Sequence, residues 1–132
     1  MKAQKMKKLR QLWKSQTHAK GVTKHETGIQ GFDEILEGGL PNERVTMISA
    51  GPGCGKTVLL NEFIYRGALE FDEPGIFLTF EERPKDILRN LHNFNWPALD
   101  DLVAQKKIIF LDAGPNQQDE VHLGEADWLD PI

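Results

Sequence analysis

The chain has 132 residues, 39% of them hydrophobic, and a formal net charge of −4, so it can bury a core, yet no apolar run approaches the ~18 residues of a membrane-spanning helix. One cysteine excludes an internal disulfide framework, and no apolar signal core follows the basic start, so the expected setting is cytoplasmic. Charge is divided unevenly: residues 1–25 carry eight Lys/Arg and no acid, leaving eight basic against twenty acidic residues, a formal −12, in the remainder.

That division sets the domain map, a basic N-terminal arm over residues 1–25 and a body over 26–132. Within the arm, Met6, Leu9, Leu12 and Trp13 recur at helical spacing and predict a basic amphipathic helix over residues 3–16. A solvated arm, a helix that docks on a partner, and contact with nucleic acid or an anionic membrane surface are all compatible with its charge. For nucleic acid, only that charge speaks.

After a glycine-containing opening, Thr27-Gly28-Ile29-Gln30-Gly31-Phe32-Asp33-Glu34-Ile35-Leu36-Glu37-Gly38-Gly39-Leu40-Pro41, the apolar run Val45-Thr46-Met47-Ile48 predicts a strand over residues 44–49. It feeds Ala50-Gly51-Pro52-Gly53-Cys54-Gly55-Lys56-Thr57, a phosphate-binding loop in its expected place between strand and helix. Glycines at 51, 53 and 55 let the backbone curl so that successive N–H groups converge on an anion. The helix that follows turns its N-terminal amides to the same anion. Lys56 suits bridging phosphate oxygens, and the Thr57 hydroxyl suits Mg²⁺. Ala50 replaces the first glycine of the pattern, and a small residue there can keep a negative φ. An ordinary glycine-rich turn ahead of a helix is the plain alternative. Cys54 reads as a small filler whose N–H does the binding, although a thiol at a helix N-terminus is also open to redox chemistry.

A helix is expected over residues 56–69, then a strand over 75–80 buried on both faces, ending in Glu81 and Glu82. In a parallel α/β sheet, ligands sit at the carboxyl ends of strands. Carboxylates there can orient and partly deprotonate an attacking water. Solvated glutamates capping the helix over residues 84–93 fit the spacing equally well. A short helix over 98–104 and a strand over 107–111 follow, with Asp112 at the strand end as either a metal-site acid or a turn residue. Trp96 is expected to pack beneath the sheet. The four histidines are scattered, and no zinc spacing or repeat is present.

In this order, the 27–41 opening, the loop, Gly67-Ala68-Leu69-Glu70, Thr79-Phe80-Glu81-Glu82 and Phe94-Asn95-Trp96 resemble a KaiC-type ATPase domain of the RecA superfamily. The resemblance covers about residues 27–112. It implies an α/β fold, a parallel sheet with flanking helices, here as a βαβαβ half that stops before the family's acidic metal-site strand. It further implies ATP and Mg²⁺ as ligands, held by Gly51, Pro52, Gly53, Cys54, Gly55, Lys56, Thr57 and Val58, with Asn93 nearby and Thr57 on the metal. Glu81 and Glu82 then become the catalytic carboxylates. A homo-oligomer, by resemblance a hexameric ring in circadian timing or other signalling, is the expected assembly. The competing expectation is a shortened, non-catalytic module that associates with a full-length relative through an exposed sheet edge.

Overall fold

The computed structural model describes residues 21–115, together with Gln4 and Lys7, which are helical and exposed. The helix expected over residues 3–16 and the segment 116–132 otherwise lie outside the described residues. The chain divides into two compact units, Met1–Lys56 and Thr57–Ile132.

The first unit begins with β1 (Lys24–His25), α1 (Phe32–Ile35) and β2 (Leu40–Pro41). β1 and β2 pair antiparallel, Lys24 opposite Pro41 and His25 opposite Leu40. Asp33 organises the turn between them. Its Oδ1 accepts from the Thr27 N–H (2.8 Å) and hydroxyl (2.7 Å), and its Oδ2 accepts from the Gly28 N–H (3.0 Å). These charge-assisted bonds satisfy backbone groups that a sheet this short leaves over. The Lys24 ammonium donates to the carbonyls of Leu36 (2.6 Å) and Glu37 (3.2 Å), just past α1. Gly39 is dictated by space as well as by its φ of 108°: a Cβ there would lie 1.9 Å from the His25 carbonyl oxygen.

The strand expected over residues 44–49 is not formed. Residues 45–50 belong to neither sheet, and Val45 and Met47 are 99% and 87% exposed. A strand exists through its neighbours, because only they satisfy its N–H and C=O groups. Among the described residues no strand runs beside this segment, so an apolar, β-prone sequence stays without a ladder.

The second unit contains α2 (Lys56–Glu70), β3 (Gly75–Thr79), α3 (Pro84–Leu91), α4 (Leu99–Ala104) and β4 (Ile108–Asp112), α2 starting one residue before the unit boundary. β3 and β4 pair in parallel, from Gly75 opposite Ile108 to Thr79 opposite Asp112. The connection between them runs through α3 and α4, as parallel pairing requires. Pro84 opens α3 at a position where its missing N–H costs nothing. Ile87 and Leu91, four apart, then turn one face inward.

One face of the sheet carries the core. Phe77 from β3 and Ile108 and Phe110 from β4 pack with Tyr65 and Ala68 of α2, Ile87 and Leu91 of α3, and Leu99 and Leu102 of α4. Tyr65 stacks on Trp96 (centroids 5.1 Å apart, planes 11°), and Trp96 in turn on Phe94 (5.3 Å, 26°). Trp96 therefore packs against the helical side of the core. α2 ends where the Phe71 and Glu73 N–H groups both donate to Gly67 O and Asp72 turns left-handed. Asp72 then pairs with Lys107 at 2.5 Å, tying that turn to the entry of β4. The opposite face was expected to be covered and is not: Ile76, Leu78 and Phe80 are all exposed. A short parallel pair reads as doubly buried in sequence, but among the described residues the helices pack their buried side chains against the Phe77–Phe110 face.

Candidate functional site

Residues 50–55 form the loop ahead of α2, whose first residue is Lys56. Gly53 (φ 73°) and Gly55 (φ 83°) are left-handed, with nothing within 4 Å of a Cβ at either place, so conformation rather than space requires glycine. Ala50 is not among the residues with positive φ, which accounts for a side chain at the first position of the pattern. The Lys56 ammonium bends back over the loop and donates to the carbonyls of Ala50 (2.7 Å) and Gly51 (3.2 Å). Gly51, Pro52, Gly53, Cys54 and Gly55 are all exposed, and the Cys54 sulfur has only a 4.0 Å contact to Pro52 O.

α2 continues with Thr57 and Val58, both half-buried. No acid occupies its first turn, so nothing on the helix itself neutralises the positive end of its dipole. Buried Asn61 donates to Thr57 O at 2.7 Å. That amide was not singled out by sequence reasoning. The available signal was a polar residue on the inward Asn61–Tyr65–Ala68 stripe.

Glu81 and Glu82 follow β3 after one intervening residue, Phe80, and are exposed. The Thr79 hydroxyl, itself buried, donates to Glu82 O at 2.8 Å and closes the turn that carries both glutamates. At the N-cap of α3 stands Arg83, with no side-chain cap bond, so capping gives no account of the glutamate pair. Asp112 ends β4 opposite Thr79, and its Oδ1 accepts from the Gly114 N–H at 2.8 Å, a turn role. Among the described residues no group of three or more His, Cys, Asp or Glu side chains is arranged to hold a metal. Asn93 is exposed just past α3, its N–H donating to Asn90 O at 3.1 Å.

The second unit thus brings Glu81, Glu82, Thr79 and Asp112 to one end of one sheet, while residues 50–56 belong to the first unit. An anion can be held by the loop amides and Lys56. The Thr57 hydroxyl offers a single hard oxygen, which suits Mg²⁺ because that ion keeps most of its waters and takes its other oxygens from phosphates.

The sequence model for a family described as the KaiC ATPase matches residues 25–127. The circadian clock oscillator protein KaiC of Prochlorococcus marinus is 50% identical over 106 residues, 80% of this chain and 21% of that protein. The protein of that name from Parasynechococcus marenigrum is 49% identical over 106 residues (80% and 20%), and that from a Picosynechococcus species 47% over 108 (82% and 21%). The chain spans about a fifth of the length of these curated relatives. Among the described residues, no helix is long and apolar enough to cross a membrane.

Proposed function

The chain belongs to the KaiC family of ATPases, and from that premise we propose that it binds ATP with Mg²⁺ through residues 50–58 and serves a hexameric, cytoplasmic clock or signalling ATPase. The observation that carries the reading is the loop: two left-handed glycines, a lysine bonded back to the carbonyls of Ala50 and Gly51, and a helix start free of acids. Backbone N–H groups of Gly51, Gly53, Cys54 and Gly55 cradle the phosphates. Lys56 exchanges its two loop carbonyls for phosphate oxygens. The Thr57 hydroxyl would hold Mg²⁺, which would supply neutralisation of the negative charge in phosphoryl transfer. Glu81 or Glu82 orients the attacking water and accepts its proton, and Asn93 contributes a contact to the nucleotide.

Calorimetric titration with ATP and Mg²⁺ tests this. Lys56→Ala should weaken binding by roughly 1.5–3 kcal/mol, about ten- to 150-fold, without changing the thermal midpoint. Equal binding by both proteins, or none by either, would sink the reading. Glu81→Gln with Glu82→Gln should leave that affinity intact and lower phosphate release, which is expected to be slow from the chain by itself because ring neighbours contribute to such sites.

A second reading is favoured by the uncovered apolar face of Ile76, Leu78 and Phe80: a non-catalytic module that associates with a full-length relative. Light scattering distinguishes it. Association above the 15.0 kDa monomer, dispersed by Ile76→Thr with Leu78→Thr while ATP fails to bind, is the outcome it requires.

A further inference from the structure

The carboxyl ends of β3 and β4 are joined by more than their ladder. Thr79 and Asp112 are the last partners in register. One residue on, the Ala113 N–H donates to Thr79 O at 2.7 Å, so pairing continues to the point where the glutamate turn begins. Asp112 then folds its carboxylate over the next turn and accepts from the Gly114 N–H. This sets Gly114 against the peptide of residue 80. A Cβ on Gly114 would stand 3.0 Å from Asp112 Oδ1 and 3.1 Å from Phe80 O, closer than an ordinary contact on both sides. On the other side of the same turn, the Thr79 hydroxyl holds Glu82 O. Residues 80–82 are therefore closed by the Thr79 hydroxyl at one end and closely approached by Gly114 at the other, while Phe80, Glu81 and Glu82 themselves are exposed.

We propose that Asp112, through Gly114, is a positioning residue that seats the turn bearing Glu81 and Glu82. This rests on the reading of those glutamates as water-activating groups. The role belongs to the carboxylate's oxygen as an acceptor, not to its charge, so an isosteric amide preserves it. A 1 Å misplacement of a reacting group costs as much as a hundredfold in rate, and the expected loss falls in kcat and spares nucleotide affinity.

The test compares Asp112→Ala, Asp112→Asn and Gly114→Ala in the full chain. Two readouts are used: amide resonances and hydrogen exchange at Glu81 and Glu82, and phosphate release with ATP and Mg²⁺. Asp112→Ala and Gly114→Ala should shift the Glu81 and Glu82 amides and lower kcat on the order of tenfold to a hundredfold with KM unchanged. Asp112→Asn should behave as the native chain in both. Unmoved amides in Asp112→Ala and Gly114→Ala would overturn the proposal. So would an Asp112→Asn chain as slow as Asp112→Ala with native amides, since charge would then be what matters. If native chain neither binds nor turns over ATP, the functional reading fails, and the amide comparison still decides the seating.

Discussion

Residues 21–56 bury Thr27 and Gly39 and hold their shape through the Asp33 carboxylate, the Lys24 ammonium, a short ladder and a set of positive-φ glycines, whereas residues 57–115 enclose nine buried apolar side chains. The first unit is ordered bond by bond, and each bond fixes a few residues. The second is ordered by surface removed from water, which every member of the core shares. The difference teaches where an error spreads. Loss of a hydrogen bond in the first unit is felt locally, while a cavity in the second is felt by all the helices on the sheet.

The sharpest way to break that contrast is Phe110→Ala. Phe110 is 2% exposed, and its truncation should cost about 3–5 kcal/mol, a large part of a small domain's stability. Denaturant unfolding followed by helical circular dichroism measures it, and a cost under about 1 kcal/mol would mean that the core does not hold the second unit together. Asp33→Ala comes next. It strands the Thr27 and Gly28 N–H groups at a cost of about 1–3 kcal/mol. Hydrogen exchange should quicken at Thr27 and Gly28 and stay unchanged at Ile87 and Phe110. Equal quickening at both would show one cooperative unit and end the comparison.

The smallest effect is Asp72→Asn. The hydrogen bond from Lys107 holds the Asp72 carboxyl below its ordinary range. A lowered carboxylate stabilises fully above the unfolded-state value, near 3.9, and loses that contribution as pH falls through the folded-state value. The urea midpoints of native and Asp72→Asn chains should therefore differ slightly at neutral pH and converge in acid. Because Asp72 is exposed and Lys107 only half-buried, a large difference would show that the turn between α2 and β3 has more influence on the core than its contacts suggest.

Much of the second unit was legible in sequence. The elements α2, α3, α4, β3 and β4 were located to within a residue or two, the strands because continuous apolar, β-prone runs announce them, although reading β3 as buried on both faces missed its alternation. The strand over residues 44–49 was not legible, since Val45-Thr46-Met47-Ile48 says only that a strand would be favourable once neighbours exist. Nor were the left-handed positions at Glu37, Glu43, Asp72 and Lys106, which no side chain there announces. For the candidate site, the loop was readable from its glycines and Lys56. The glutamates were readable as strand-terminal acids, but their assignment to catalysis came through the family resemblance. Of the supports behind them, the Thr79 hydroxyl bond and the Asp112–Gly114 turn are local, three and two residues long, but the bond from the Ala113 N–H to Thr79 O and the approach of Gly114 to Phe80 O are tertiary facts that no local pattern announces.

Tyr65, Trp96 and Phe94 form a stack in which the indole of Trp96 lies between two rings, half-buried against the core. Indole emission shifts in colour and yield with solvent polarity and with neighbouring rings, so this residue is a built-in optical gauge of whether α2 is seated. The sequence contains two other tryptophans, Trp13 and Trp128, and their replacement by phenylalanine would leave a single emitter. Its spectrum would then follow assembly of the helical layer in real time, without a label.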